Sequence, residues 1–267
     1  MLIAQLSDLH LRPRGLPANR VVETNMLAAR ALRALARLRP APDVVLLTGD
    51  LADRGEPGAY RVLAGMLAEA GLAAPVFPIP GNHDERSAMA EALPGARMTD
   101  GFVQYAIEDF PVRLVLLDTL VPGSSHGELC ARRLAWLEAT LAAAPDRPTL
   151  IALHHPPFAT GIGHMDRIAL REPEAFAAVL ARHQQVRLVL CGHVHRPIVT
   201  RIAEAVVIIA PSVAHQVALD LRADAPSAFV LEPPAFLLHQ WSAAAGFVTH
   251  MAYVEEAAGP FPFLGAG

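Results

Sequence analysis

A chain of 267 residues, 53% hydrophobic and 18% charged, is long enough for one large domain with a sizeable buried core, or for two small ones. Its net charge of -4 and pI near 6.3 provide no general basic field for nucleic acid or an anionic membrane. All 22 basic residues are arginine, which excludes a Walker-type phosphate loop, a pyridoxal Schiff base and a lysine nucleophile.

The two cysteines, Cys130 and Cys191, are too few for a disulfide framework or a cysteine-rich zinc site and read as small buried apolar residues. No apolar run reaches the length of a membrane span, and the first residues lack the pattern of a secretory signal. Removing such a signal would also remove Asp8 and His10, so the expected compartment is the cytoplasm.

Apolar runs alternate with helical patterns along the chain. Residues 2–6 read as a strand that stops at Ser7-Asp8-Leu9-His10. Val21, Ala28, Leu32 and Leu35 mark one helix face, with Pro40 beyond its end. Residues 43–47 form a continuous apolar run, as expected of a strand buried on both faces, and stop at Thr48-Gly49-Asp50. Pro57 suits a first helical turn, Tyr60, Leu63, Ala64 and Leu67 recur at helical spacing, and Gly71 suits the cap. Residues 75–79 lead into Pro80-Gly81-Asn82-His83-Asp84. Further strands are predicted over 113–118, 149–153 and 186–190, with helices around Leu134, Leu137 and Leu141 and around Phe176, Val179 and Leu180. The last two of these strands end in His154-His155-Pro156-Pro157 and in Cys191-Gly192-His193-Val194-His195. Residues 206–209 and an antiparallel pair around 236–238 and 247–250 complete a single α/β domain over 1–267.

Asp8, His10, Asp50, Asn82, His154, His193 and His195 thus all lie just past the C-terminal ends of predicted strands, where open α/β sheets gather their ligands. Each motif alone is equally compatible with an ordinary turn or a pair of satisfied histidines. Together they form a set of oxygen and imidazole donors without thiolate, which suits Zn, Mn or Fe. Two such ions about 3.5–4 Å apart activate a water and neutralise the attacking and departing oxygens of a phosphoryl transfer.

The ordered set Asp8-x-His10, Gly49-Asp50-x-x-Asp53, Gly81-Asn82-His83-Asp84, His154-His155-Pro156-Pro157 and Gly192-His193-x-His195 resembles the calcineurin-like metallophosphoesterases. Within them it is most similar to class III cyclic nucleotide phosphodiesterases and the related bacterial glycerophosphodiesterase. The resemblance extends through residues 125–129, 165–166 and 213–217. It implies a four-layer αββα sandwich of two mixed sheets, of which the strand reading shows only one. It also implies that Asp8, His10, Asp50 and His195 hold one ion, that Asp50, Asn82, His154 and His193 hold the other, and that His83 sits beside the phosphate. A bridging hydroxide would attack phosphorus in line, and His83 would stabilise the phosphoryl oxygen or protonate the leaving alkoxide, with Asp84 fixing its tautomer.

His155 is expected to support the site without binding metal, since adjacent residues of extended backbone point to opposite sides. Asp53 either orients a liganding histidine or caps the Pro57 helix. His126, His164 and His215 are candidate walls of a substrate pocket, Arg12 and Arg14 read as surface residues, and His183, His239 and His250 carry no signal. The expected substrate is a small phosphodiester, a cyclic nucleotide or a glycerophosphodiester. A phosphomonoesterase or nuclease on the same core, or a scaffold that has lost catalysis, is the alternative. Neither a nucleic-acid nor a membrane partner is expected. The stretch 211–245 and the tail Pro260-Phe261-Pro262-Phe263 are more apolar than a surface excursion of a single domain, and the resemblance implies a cap there that pairs subunits into a dimer or larger assembly; a hydrophobic hairpin packed on its own core is the alternative.

Overall fold

The computed structural model describes residues 1–263. In chain order its elements are β1 (Leu2–Leu6), α1 (Thr24–Ala36), β2 (Val44–Thr48), α2 (Pro57–Ala70), β3 (Val76–Ile79), α3 (Arg86–Ala92), β4 (Tyr105–Ile107), β5 (Arg113–Leu116), α4 (Ala131–Ala142), β6 (Thr149–Ala152), α5 (Gly163–Asp166), α6 (Pro173–Arg182), β7 (Val186–Cys191), β8 (Ile198–Ile202), β9 (Ala205–Ile209), β10 (Gln216–Val217), β11 (Phe229–Val230), β12 (Ala235–Ser242) and β13 (Gly246–Tyr253). Every strand read from the sequence is present. Helix α1 begins only at Thr24, so Val21 lies outside it and is exposed, because no packing face reaches that far back. β4, β8 and α3 are elements that the periodicity did not reveal.

Two large sheets carry the chain, one ordered β13-β12-β1-β2-β3 and the other β4-β5-β6-β7-β9-β8, with β10 and β11 as a separate two-stranded ribbon. β1, β2 and β3 run parallel, as do β5, β6, β7 and β9, so each set delivers its C-terminal ends to one edge. β12 and β13 add antiparallel strands beside β1, and β4 and β8 do so at the edges of the second sheet.

The second sheet divides its side chains by parity. Leu114, Leu116, Leu150, Ala152, Leu188 and Leu190 join the cluster built on β1 and β2, whereas Val115, Leu117, Ile151, Leu153, Val189 and Cys191 join α4 and α6. This is the period-two alternation of a strand sandwiched between two apolar layers. Leu32 and Leu35 of α1 and Tyr60 and Leu63 of α2 close the outer face of the first sheet. The layers are therefore helix, sheet, sheet, helix, and the four-layer arrangement expected from the resemblance is present. Cys191 is buried as expected, but Cys130 is only partly buried, because it stands at the start of α4 and not inside a layer. No helix among the described residues is long and apolar enough to cross a membrane.

Candidate metal centre

The loops after β1, β2, β3, β6 and β7 converge at one edge of the sandwich. Asp8, His10, Asp50, His193 and His195 all hold positive φ, from 48° to 71°. For residues with a Cβ this left-handed region is costly, and it persists only where the surroundings impose it. Gly81 has a different reason to be glycine. A Cβ there would overlap the Asp50 carboxylate and the His154 ring, so only a bare backbone lets the β3 loop close over the β2 loop.

Backbone and neighbouring groups orient the imidazoles. His195 Nδ1 donates to the His215 carbonyl at 2.8 Å and His154 Nδ1 to the Thr48 carbonyl at 2.8 Å, so each turns a lone pair on Nε2 inward. His10 Nδ1 faces Asp53 Oδ1 at 3.4 Å, which likewise leaves its Nε2 bare. The two Nε2 atoms of His10 and His195 then lie 3.1 Å apart, with Asp50 Oδ2 at 3.7 Å from the first and Asp8 Oδ1 at 3.4 Å from the second. Liganding atoms of Asp8, His10, Asp50 and His195 all fall within 4.8 Å of one another. Four electron-pair donors pointing at one buried spot repel each other unless a cation lies between them. Close by, His154 Nε2 is 3.4 Å from Asp50 Oδ2, and His193 Nδ1 faces Asn82 Oδ1 at 3.0 Å. Asp8 Oδ2, His154 Nε2 and His193 Nε2 are buried without a hydrogen-bond partner. The donor set fits a cation of the Zn, Mn or Fe type.

Electrostatics agree with that fit. Burial opposes ionisation of Asp50, but His154 and His83 beside it hold its carboxyl well below the usual range. Burial raises Asp8 to about 6, with Asp50 adding to the rise. Burial and the neighbouring His10 push His195 down to about 3, and burial and His154 push His193 well below its ordinary value. His154 moves the other way, to about 9, because Asp50 outweighs its burial. A proton on its Nε2 competes with a cation for the same lone pair.

The remaining candidates divide. His83 donates from Nδ1 to the Asp53 carbonyl at 2.7 Å, and its exposed ring packs edge-on against His10 with centroids 4.8 Å apart. Asp84 therefore does not set the His83 tautomer. Its carboxylate accepts from the Leu51, Ala52 and Gly81 amides and from the Tyr60 hydroxyl, at 2.9 to 3.1 Å, so it ties the two loops together. Asp53 supports His10 and also pairs with Arg12 at 3.2 Å, and Arg12 reaches Glu56 at 3.0 Å. Arg12 is thus buried and structural, contrary to the surface reading, while Arg14 is exposed. His155 is fully buried, with Nδ1 2.8 Å from the Thr119 hydroxyl, its ring 4.6 Å from that of His193 and its Nε2 without a hydrogen-bond partner.

His164 and His215 line the cleft of about 280 Å³ over the centre, together with Met165, Ile168 and Phe229. His126 does not line it. Its ring is turned to the Ser124 hydroxyl, and Ser125 takes the wall position instead. Phe229 comes from the short ribbon after β9 and stacks edge-on against His215 at 5.1 Å, a contact between distant segments that no local pattern signals.

The calcineurin-like phosphoesterase family model matches residues 1–197. A protein of Arcobacter nitrofigilis named as a probable glycerophosphodiester phosphodiesterase is 37% identical over 98% of this chain and 97% of its own length. The 3',5'-cyclic adenosine monophosphate phosphodiesterase CpdA of Escherichia coli strain K12 is 36% identical over 73% of this chain and 69% of its own. A dimetal phosphatase of Danio rerio has the same fold, with a TM-score of 0.64 over 96% of this chain and 99% of its own, at 19% identity. With the motif-bearing strand ends in one buried cluster and a family match across most of its length, the chain belongs to the calcineurin-like phosphoesterases.

Proposed function

We propose that the protein is a dinuclear metal-dependent phosphodiesterase acting on small phosphodiesters, glycerophosphodiesters or cyclic nucleotides. Asp8, His10, Asp50 and His195 would hold one cation, and Asp50, Asn82, His154 and His193 the second, with Asp50 common to both. The observation that carries this reading is the buried convergence of imidazole nitrogens and carboxylate oxygens around Asp50, their ligand atoms within 4.8 Å of one another in the cluster of Asp8, His10, Asp50 and His195. Relatives at more than 30% identity named as phosphodiesterases support the choice of substrate.

When bound, such cations supply Lewis acidity toward the phosphoryl oxygens and an activated water for in-line displacement. The chain's own residues do the rest. Nδ1 of His83 donates to the Asp53 carbonyl, which fixes the ring and leaves Nε2 for a phosphoryl oxygen or the departing alkoxide. Asn82 and the wall of Met165, Ile168 and Phe229 position the ester.

All the ligand types and His83 are retained, which favours an enzyme over a non-catalytic scaffold. Metal analysis of the purified protein, together with hydrolysis of bis(p-nitrophenyl) phosphate, tests the reading. About two metal ions per chain and metal-dependent turnover are expected, and a metal-free, inactive protein would leave the scaffold.

Exposed Leu219, Leu221 and Leu231 within 211–245, and Phe261 and Phe263 in the tail, support a dimer or larger assembly. Light scattering at micromolar concentration should give a mass above the 28.5 kDa of one chain. The unpaired cysteines suit the reducing cytoplasm.

A further inference from the structure

Gln5, on β1, is fully buried in the layer between the two sheets, a layer otherwise built from residues such as Ile3, Leu46, Leu188 and Leu190. A buried amide is costly there unless its polar atoms find partners, and both do. Its Nε2 donates to the Thr48 hydroxyl at 3.0 Å and to the Cys191 carbonyl at 2.9 Å, and its Oε1 lies 3.1 Å from His239 Nε2. His239, also fully buried, has Nδ1 2.9 Å from the Thr249 hydroxyl.

The protons follow from the partners. A carbonyl can only accept, so the Gln5 atom facing Cys191 is the amide nitrogen and the other is its oxygen. His239 must then carry its proton on Nε2. Burial pushes His239 down to about 3, so the ring is neutral and Nδ1 accepts from Thr249. His239 thereby keeps the Gln5 amide from flipping. Strand register accounts for the alignment: Ile3 pairs with His239, His239 with Thr249 and Gln5 with Leu46. With the two-residue period of a strand, Thr249, His239, Gln5 and Thr48 share the inner face of β13, β12, β1 and β2.

This polar row ends beneath the metal centre. The Thr48 carbonyl accepts from His154 Nδ1, and Asp50 and His193 each follow two residues after the Gln5 contacts at Thr48 and Cys191. The sheets touch at this point, since a Cβ on Gly192 would lie 2.7 Å from the Thr48 carbonyl oxygen. Leucines in place of Gln5 and His239 would fill the layer without desolvating an amide and an imidazole. What the polar row adds is a fixed distance between the ends of β2 and β7. We propose that Gln5, locked by His239, is a positioning residue for the second cation, setting His154 and His193 of one sheet against Asp50 of the other. The proposal rests on the dinuclear reading and concerns how its second site is held.

The test titrates the metal-free protein with Mn²⁺, following free Mn²⁺ by electron paramagnetic resonance, beside urea unfolding of the same samples. The wild type should take up about two ions per chain, and His154→Ala identifies which Kd belongs to the second site. In the double variant Gln5→Leu with His239→Leu, metal-free stability should match or exceed the wild type, because both ends of a buried hydrogen bond become apolar together. The second-site Kd should weaken about tenfold or more while the other stays within about threefold. His239→Gln, which keeps a donor for Gln5 Oε1, should retain more of the second-site affinity than His239→Leu. Unchanged Kd values in the folded double variant would overturn the proposal, as would a loss confined to the first site or an equal loss at both with lower stability. If the double variant does not fold, His239→Leu and His239→Gln decide, and equal second-site Kd values in the two overturn the proposal. A wild type that binds fewer than two ions would instead remove the dinuclear reading, and the positioning role with it.

Discussion

Asp50 is the residue on which the centre turns, since its carboxylate approaches His10 and His154 and accepts the His83 amide at 2.9 Å. Asp50→Ala should lower kcat by about three orders of magnitude or more and reduce bound metal. The fold should survive, because the residue lies past a strand end; near-normal turnover in the purified variant would be incompatible with a shared ligand. For His83 the probe is leaving-group pKa, as a nitrophenolate departs unaided and an alkoxide does not. His83→Asn should lose about 10²-fold or more in kcat on an alkyl diester and far less on a p-nitrophenyl diester, with metal content unchanged. Equal losses on both would assign the ring to phosphate positioning, and loss of metal would make it a ligand.

At the scale of elements, the site depends on how the loop after β2 is held to the loop after β3. Asp84 makes that tie through three amides and the Tyr60 hydroxyl, all buried. Asp84→Ala would strand those donors, each costing about 1–3 kcal/mol when unpaired. We expect a loss of about 3 kcal/mol or more in denaturant unfolding. The folded fraction should keep the contrast between alkyl and nitrophenyl leaving groups, because the Asp53 carbonyl and not Asp84 holds His83 Nδ1. Loss of that contrast would show that Asp84 acts on the imidazole after all. Tyr60→Phe removes a single bond of the same network and should cost about 1 kcal/mol.

For the whole molecule, the centre lies between the two sheets' ends: Asp8, Asp50 and Asn82 follow strands of the first, His154 and His193 strands of the second. Cations bound there would tie the layers together and stabilise the native state alone. Removing metal with a chelator should therefore lower Tm by about 5–10 °C, and readdition should restore it, as expected for free metal near 100 times Kd. A Tm indifferent to chelation, with metal shown to be removed, would mean that the packed layers alone determine stability.

The amino-acid sequence by itself determined the strands that end in ligand residues, because continuous apolar runs such as residues 44–47 and 150–153 stop abruptly at polar groups and need no partner to be recognised. It also determined the donor set, since residue type decides what can bind a hard or borderline cation. Tertiary structure decided what each polar residue does with its charge. Asp118 follows β5 at the same edge as the ligands, yet Arg86 and Arg133 neutralise it, while Arg12 left the surface for Asp53 and Glu56. Asp84 went to backbone amides and His126 turned away from the cleft. The second sheet, β4 and β8 likewise emerged only from pairing, because an edge strand has a weak pattern of its own until a neighbour supplies its hydrogen bonds. Partners distant in sequence set these outcomes, and electrostatics and hydrogen bonding depend on distance in space, which residue order does not record.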